Sequence, residues 1–309
     1  MTRDLLRGGE GRFFRGNLHC HSNRSDGQVE PVEVVAAYRD AGYDFIVLSD
    51  HFEPDYGWRI TDTRDLRSAD FTTIVGAELS SAEWDDRDVY FVTAAGLPVD
   101  FQPPRDGDRV EAIRRAHEGG AFVLLLHPGL TNMPLAGLGE LPGLEAIDAV
   151  EVYNHNMAVG SHPDRANGGA TLDALLESGR RVFATAGDDA HFDLATDRFG
   201  GWVEVHAPAR EPEALLASLK AGTYYSTQGP RIERLEHDGD HLHVATSPAS
   251  AIALGGGGDR WQDASSRAAD PGEQITDATF DLGPFEGAYC RVIVTGADGK
   301  LAWSNPVWP

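Results

Sequence analysis

The sequence of 309 residues predicts an α/β protein, a β/α barrel followed by a small all-β appendage. Short apolar runs with β propensity recur along the first part of the chain, and helical segments separate them. After about residue 228 the helical segments stop. Strands that alternate with helices are typical of a parallel α/β sheet or barrel.

The strand-like runs are apolar almost throughout, as in strands that are covered on both faces of a parallel sheet. They occupy residues 45–51, 73–79, 89–95, 121–128, 149–154, 181–187 and 202–207, with a weaker first run at 14–21. Seven or eight such strands before residue 225 favour a closed barrel over an open sheet.

Four helical segments lie between these runs, and glycine ends each of them. Proline or aspartate marks the start of the clearest two, which is the usual chemistry of a helix N-terminus. The four segments cover residues 31–42, 108–120, 171–179 and 211–222.

The sequence pattern changes from Gly229 onward, where predicted strands and turns alternate and no segment has a convincing helical pattern. Asp-Gly pairs at 238–239 and 298–299 predict hairpin turns, and 255–274 is typical of a long polar loop. We therefore divide the chain into a barrel, residues 1–228, and a β-rich C-terminal appendage, residues 229–309.

The negative charge of the chain argues against some classes of binding partner. Asp and Glu number 49 and Lys and Arg 26, a formal net charge of −23. Such a surface is unsuited to nucleic acid or anionic lipid, which bind basic proteins. The two cysteines are too few for a disulfide framework, and no apolar segment reaches membrane-spanning length. We expect a cytoplasmic protein with a small-molecule substrate and no nucleic-acid or membrane partner; the sequence does not indicate its oligomeric state.

Metal-ligating side chains collect at the ends of the predicted strands, and in a barrel those ends meet at one face. They are His19, His21, Asp26, His51, Glu78, His127, Asp189 and His191. Imidazoles and carboxylates suit Zn²⁺, Mn²⁺ or Fe²⁺, and eight donors are enough for two or three ions, with Glu78 a natural bridge.

Each of these residues alone also has a structural explanation. A single histidine is often a core residue with satisfied hydrogen bonds, Asp26 suits a turn, and Glu78 suits a helix cap. Five histidines at successive strand ends, each beside an acid or another histidine, are better explained by a metal site.

The motifs that hold these residues resemble those of the polymerase-and-histidinol-phosphatase (PHP) superfamily of metal-dependent hydrolases. The matching segments are Leu18–Ser22 with Ser25–Gly27, Ser49–His51, Gly76–Glu78, His127–Pro128 and Asp189–His191. The resemblance spans roughly residues 12–210. It implies a distorted, TIM-like (β/α)7 barrel with a di- or trinuclear metal site.

The resemblance also implies how the ligands divide among the ions. One ion is held by His19, His21, Glu78 and Asp189, a second by Glu78 and His127, and a third by Asp26, His51 and His191. Trinuclear members usually add a histidine on the strand after the bridging glutamate, but residues 88–92 contain none. Asp88 and Tyr90 are the possible substitutes.

The C-terminal part resembles the branch of the superfamily that includes carbaryl-hydrolase-like metallohydrolases. The segments that carry this resemblance are Leu219–Pro230 and Ala302–Pro306. Members of the branch are mostly phosphoesterases, and some cleave amides or carbamates.

These observations favour a phosphoesterase that hydrolyses a small phosphorylated metabolite or nucleotide with a metal-activated hydroxide. The alternatives are an amide, carbamate or ester hydrolase using the same site, and a metal-binding protein without activity. His191 and His51 are candidate proton donors, and Asp188 is a candidate catalytic partner that orients a ligand histidine. Candidate substrate contacts are Arg59, Arg64, Asn154, His155 and Arg198. Arg59 and Arg64 lie among acids with which they could instead form surface pairs.

Overall fold

A computed structural model describes most of the chain. The described residues are 2–83, 89–105, 107–131, 133, 135–160, 162–256, 264–267 (backbone only), 270 and 272–309.

Within the described residues, ten strands and five α-helices precede residue 229, in close agreement with the predicted segments. The strands are β1 (Arg3–Asp4), β2 (Arg12–Asn17), β3 (Phe45–Leu48), β4 (Thr72–Ser80), β5 (Phe91–Ala95), β6 (Phe122–Leu125), β7 (Ala149–Asn154), β8 (Phe183–Gly187), β9 (Trp202–Ala207) and β10 (Tyr224–Thr227). The helices are α1 (Pro31–Asp40), α2 (Arg109–Glu118), α3 (His155–Val159), α4 (Gly169–Glu177) and α5 (Pro212–Ala221). The sequence predicted four of these helices and missed the short α3.

Local chemistry explains why the predicted helices start and stop where they do. Glu30 and Glu33 form a capping box at the start of α1, with Pro31 in its first turn. The side chain of Asp108 accepts a hydrogen bond from the backbone N–H of Glu111 at the start of α2. The chain leaves α5 at Gly222, whose φ of 71° is a left-handed conformation that glycine adopts without strain.

The C-terminal part is almost entirely β structure. Its strands are β11 (Ile232–His237), β12 (His241–Gly256), β13 (Ala264–Arg267), β14 (Ile275–Asp281), β15 (Cys290–Gly296) and β16 (Leu301–Ser304). Both Asp-Gly pairs lie in turns between antiparallel strands, β11–β12 and β15–β16, which confirms the hairpins. β13 lies inside the predicted loop 255–274, and residues 257–263, 268, 269 and 271 of that loop lie outside the described residues.

The strands join one large sheet of mixed direction. Strands β2, β3 and β4 are parallel, as are β6, β7 and β8. β5 runs antiparallel to both β4 and β6, and β9 runs antiparallel to β2. The prediction that the apolar runs form parallel strands is therefore wrong for β5 and β9, and what holds is a mixed α/β fold with a large sheet. An antiparallel neighbour fits the ten residues between β4 and β5, because a parallel crossover needs a connection of a dozen or more residues.

The two ends of the row β2 to β8 meet beyond the strands themselves. Cys20 and Ala190 form a parallel bridge. The backbone N–H of His21 donates to Ala190 O at 2.9 Å, and that of Asp189 donates to His19 O at 2.8 Å. The segment after β2 and the segment after β8, which carry four of the predicted ligands, thus lie side by side.

The C-terminal strands enclose a hydrophobic core that includes Leu235, Leu242, Phe280 and Val292. Leu6 packs into the same core, and β1 pairs with β11. β16 pairs with β15 on one side and β10 on the other, so the sheet continues from the first part of the chain into the last. The division into 1–228 and 229–309 stays a prediction.

Candidate metal centre

All eight predicted ligands lie at one end of the row β2 to β8. His19 and His21 follow β2, Asp26 lies in the next turn, and His51 follows β3. Glu78 lies within β4, His127 follows β6, and the pair Asp189 and His191 follows β8. The fold therefore brings together side chains that are up to 172 positions apart in the chain (His19 and His191).

Glu78 and Asp189 lie at the middle of this group. The Oε2 atom of Glu78 lies 3.1 Å from Nε2 of His19 and 3.1 Å from Nε2 of His21. The Oδ1 atom of Asp189 lies 3.0 Å and 3.3 Å from the same two nitrogens. His127 completes this half of the site, with its Nε2 3.6 Å from Oε1 of Glu78. Two triads of ligand atoms here, His19–His21–Glu78 and His19–His127–Asp189, each lie within 4.8 Å of one another.

Asp26 organises the outer half of the site. Its Oδ2 lies 3.2 Å from Nε2 of His51 and 3.3 Å from Nε2 of His191, and its Oδ1 lies 3.4 Å from Nδ1 of His21. The ring of His21 stacks on that of His191, with centroids 4.4 Å apart. Ligand atoms of His21, Asp26 and His191 form a third triad within 4.8 Å.

Burial and charge both act on the pKa values of this group. Burial raises the pKa of Glu78, but the charge of His51 and the hydrogen bonds of His127 and His19 outweigh it and hold the pKa well below its ordinary value. Burial lowers the pKa of His191, yet the hydrogen bond to Asp26 and the charge of Asp189 raise it to about 9. Protons on the imidazoles thus balance carboxylates that would otherwise repel one another.

The donor set fits divalent metal ions. It consists of imidazole nitrogens and carboxylate oxygens, the ligands of Zn²⁺, Mn²⁺ and Fe²⁺. Three buried ring nitrogens, His21 Nε2, His51 Nδ1 and His127 Nδ1, have no directed hydrogen-bond partner among the described residues. An ion held by His21 Nε2 between Glu78 and Asp189 would satisfy the first of these.

Asp88 and Tyr90 were the two possible substitutes for a ligand histidine on the strand after Glu78. The hydroxyl of Tyr90 donates to Pro142 O at 2.6 Å, which directs it away from the ligand group, and Asp88 lies outside the described residues. Thr93 instead lies opposite Glu78 in the β4–β5 register, and its buried hydroxyl has no hydrogen-bond partner in the described part of the chain. The sequence analysis missed Thr93, because a threonine in an apolar strand carries no signal of its own.

Glu151 on β7 is a second residue that the sequence analysis missed. Its Oε1 lies 3.0 Å from Nδ1 of His19, and its Oε2 accepts from the backbone N–H of His127 at 2.8 Å and from Asn154 at 3.0 Å. Glu151 is buried. Carboxylates that bind the far nitrogen of a ligand histidine orient its ring. The available signal was an acid in the middle of the apolar run 149–154.

Asp50 holds the loop that presents Asp26. Its carboxylate accepts hydrogen bonds from the backbone and hydroxyl of Ser22 at 2.7 and 2.8 Å, and from the hydroxyls of Ser25 and Thr61 at 3.0 and 2.6 Å. The Ser-Asp-Gly turn is thereby attached to the end of β3, beside His51.

Asp188 and Asp189 are adjacent but have different surroundings. Asp188 accepts from Asn17 and Tyr38, each at 2.8 Å, and from the backbone N–H groups of residues 199–201 at 2.8 to 3.0 Å. Among the described contacts, its carboxylate touches no histidine. The backbone of Asp189 is left-handed, with φ of 56°, and so is that of His127, with φ of 24°. Strained backbone at two predicted ligands is typical of a functional site.

The predicted substrate contacts are dispersed. Arg64 pairs with Asp62 on the surface at 2.7 Å, whereas Arg59 lines a cleft beside Tyr56, whose ring stacks on His51 at 5.8 Å. Asn154 caps α3 and donates to Glu151 and Asp189.

The last two predicted contacts lie further along the chain. The ring of His155 is hydrogen-bonded to the hydroxyl of Tyr153 and to the carbonyl oxygen of Thr196. The guanidinium group of Arg198 donates to the carboxylate of Asp197 and to the carbonyl oxygen of Leu194.

An open cleft of about 620 Å³ adjoins the predicted ligands Asp189 and His191. Apolar side chains form much of its wall: Leu130, Met157, Val159 and Leu194. Val159 and Leu194 are 39% and 38% exposed, high values for aliphatic residues. Among the described lining residues there is no lysine or arginine.

No family model and no curated protein matches the chain. Solved structures do. A two-domain protein from Bacteroides vulgatus, described as containing a predicted PHP-like metal-dependent phosphoesterase, matches over 99% of both chains with 18% identity and a TM-score of 0.51. This likeness shows a shared overall fold. The predicted resemblance to the PHP superfamily is thereby confirmed at the level of the fold, while the carbaryl-hydrolase-like branch stays a prediction.

Two further structures are similar over part of the chain. The lesion-specific endonuclease Q from Pyrococcus furiosus matches 67% of this chain and 56% of its own, with 14% identity and a TM-score of 0.41. An amidohydrolase from Chromobacterium violaceum matches 57% of this chain and 87% of its own, with 15% identity and a TM-score of 0.38. At these TM-scores the likeness says nothing about function. Within the described residues, no helix combines the length and hydropathy needed to cross a membrane.

Proposed function

We propose that the protein is a metal-dependent hydrolase. Of the candidate substrates, we favour a small phosphorylated metabolite or nucleotide. The observation that carries the proposal is the convergence of His19, His21, Glu78 and Asp189 within 3.0 to 3.3 Å, next to an open cleft. A structural histidine cluster would not need two buried carboxylates at that distance or a cleft beside them.

The residues divide as the motifs suggest. His19, His21, Glu78 and Asp189 would hold one ion, Glu78 and His127 a second, and Asp26, His51 and His191 a third. When bound, such ions supply Lewis acidity and bring the pKa of water toward neutrality. Glu151 fixes the ring of His19, Asn154 fixes Asp189, and Asp50 fixes the loop of Asp26.

His191 and His51 remain our proposed proton donors to the leaving group. Both face Asp26, and the side chain of His191 is 19% exposed, so it is in contact with the cleft and with solvent. Asp188 stays a proposed partner of the site, acting through the position of Asp189, because its own carboxylate lies among backbone donors.

We further propose that β2 to β8 form the distorted barrel. The Cys20–Ala190 bridge and the two backbone hydrogen bonds beside it support closure between the segments after β2 and β8. The net charge of −23 supports a small substrate in the cytoplasm over a nucleic-acid strand, because the surface field repels polyanions.

The wall of the cleft favours a second candidate, hydrolysis of an amide, carbamate or ester. Leu130, Met157, Val159 and Leu194 present an apolar surface, and no lysine or arginine lies among the described lining residues to receive a phosphate. An apolar leaving group would fit this wall whether the enzyme hydrolyses a phosphoester or an amide, carbamate or ester. The neighbouring cleft contains Arg24, which pairs with Glu30, and Arg59, which is the cation that favours the phosphoester.

Three substrates with one leaving group separate these candidates. 1-Naphthyl phosphate, 1-naphthyl N-methylcarbamate and 1-naphthyl acetate all release 1-naphthol, so a single fluorescence assay of the manganese- or zinc-loaded protein compares them. Faster turnover of the phosphate supports the phosphoesterase, and faster turnover of the carbamate or acetate supports the second candidate. If none is hydrolysed above the chelator-treated control, the hydrolase proposal fails.

A matched pair of arginine variants sharpens the comparison. Arg59→Gln should raise KM for 1-naphthyl phosphate without changing that for the acetate. Arg64→Gln, whose arginine is already paired with Asp62, should change neither. Equal effects of the two variants would remove Arg59 as a phosphate contact.

A further inference from the structure

A second cleft, of about 260 Å³, lies where the N-terminal segment, the first part of the chain and the C-terminal residues meet. Leu5 and Leu6 contribute to it from the N-terminal segment, Phe183 from the start of β8, and Val307 and Trp308 from the C-terminal end. It lies at the opposite end of β8 from the candidate metal centre. From Phe183 to Asp189 an extended chain covers about 20 Å at roughly 3.3 Å per residue.

The charge of this cleft is opposite to that of the protein. Arg3, Arg181 and His237 line it, and its described lining contains no aspartate or glutamate. The clefts next to the metal centre differ, since one contains Asp193 and the other Glu30 and Asp62. In a chain with 49 acidic and 26 basic residues, a cleft with bases and no acid among its described residues is a local positive site on an acidic molecule.

The guanidinium groups of Arg3 and Arg181 are exposed and available to a ligand, and the imidazole of His237 has an unsatisfied nitrogen in the wall of the cleft. Within the described part of the chain, Arg3 and Arg181 form no salt bridge, and Arg181 makes only a stacking contact with Trp308, its guanidinium carbon 4.8 Å from the ring centroid. The Nε2 atom of His237 is buried and has no hydrogen-bond partner among the residues that the structure describes. A buried polar atom without a partner costs free energy, which a ligand can recover.

The side-chain amide of Asn305, by contrast, is not available to a ligand. Asn305 also lines the cleft, but its Nδ2 donates to the carbonyl oxygens of Gly222 and Tyr224 at 2.9 and 3.1 Å, and its Oδ1 accepts from the N–H of Ala184 at 2.9 Å. Asn305 therefore fixes the wall of the cleft and leaves recognition to the arginines and the histidine.

We propose that this cleft binds a small oxyanion, a phosphate or the phosphate group of a small phosphomonoester. Two guanidinium groups and an imidazole N–H supply charge-assisted donors, the usual partners of phosphate in proteins. A bound anion would connect Arg3, in β1, with Arg181, just before β8, and would stabilise the folded chain by mass action. The proposal does not depend on the hydrolase activity.

Isothermal titration calorimetry of inorganic phosphate against the full-length, chelator-treated protein tests the site, with ionic strength kept constant by chloride. We expect one binding site per chain. Arg181→Gln, Arg3→Gln and His237→Ala should each weaken binding at least tenfold, because each removes one of the three donors that line the cleft. Arg231→Gln is the matched control, since Arg231 pairs with Glu233 on the surface.

Glu78→Gln separates this site from the metal centre. Phosphate binding that persists in Glu78→Gln and is weakened in Arg181→Gln supports the proposal. Absence of binding, equal weakening in Arg231→Gln, or loss in Glu78→Gln with retention in Arg181→Gln would each overturn it. Circular dichroism of every variant verifies that it is folded.

Discussion

His19 and Glu151 share a buried hydrogen bond of 3.0 Å between Nδ1 and Oε1. Because this bond occupies one ring nitrogen, the other, Nε2, is directed at Glu78 and Asp189, 3.1 and 3.0 Å away. Glu151 also accepts from the backbone of His127, so one carboxylate positions two of the candidate ligands. In metal sites, a carboxylate that binds the far nitrogen of a ligand histidine in this way orients its ring.

Glu151→Gln should lower metal affinity by about 10- to 100-fold, because the amide keeps the size of the side chain but not its charge. Competition with a fluorescent chelator measures the change. Glu145→Gln, at a surface glutamate paired with Arg114, is the control and should have no effect. Wild-type affinity in Glu151→Gln would show that the bond does not support the metal.

Glu78→Gln should remove most of the bound metal and the hydrolytic activity together. Both oxygens of Glu78 face the predicted ligand histidines. The amide of glutamine is neutral, so it cannot replace a negatively charged carboxylate that bridges two metal ions. Elemental analysis of the purified protein gives the metal content, with Glu140→Gln as a surface control. Activity that survives with full metal content would exclude Glu78 as the bridge.

Asp188→Ala should reduce the free energy of unfolding by about 3–5 kcal/mol, because it leaves several buried donors without their charged acceptor. Asp188→Asn, which keeps one acceptor oxygen, should cost less. Urea denaturation of the metal-free variants measures both. If Asp188→Asn retains wild-type stability and metal content but loses activity, the carboxylate has a direct catalytic role instead.

The pKa of His191 predicts opposite pH dependences for stability and for metal binding. Burial lowers this pKa, and the hydrogen bond to Asp26 and the charges of Asp189 and Asp26 raise it from 6.5 to about 9. A raised pKa in the folded state stabilises the metal-free protein fully below pH 6.5, and this stabilisation is lost as pH rises through 9. Metal affinity should increase over the same interval, because the ligand must lose its proton.

Chemical denaturation of chelated protein between pH 6 and 9.5 measures the first of these trends. His191→Gln should flatten the slope in that interval, whereas His117→Gln, a surface histidine beside Asp148, should leave it unchanged. The same slope in His191→Gln and wild type would show that other groups cause it.

Local sequence patterns predicted most of the secondary structure because their causes are local. Residues 149–154 and 202–207 were predicted as strands with the observed bounds, and the helix starts at Pro31 and Asp108 follow from capping chemistry. The direction of β5 was not predictable, since an apolar run packs equally well whichever way it runs.

The sequence by itself determined which side chains are available for metal binding and that they follow strands, because residue type and strand ends are both local properties. Only the tertiary structure decided how they are used. Of the adjacent acids at 188 and 189, it directs one toward backbone N–H groups and the other toward His19 and His21. It also brings Glu151 to His19 across 132 positions of the chain. Such pairings depend on which strands become neighbours, and that is set by packing of the whole sheet.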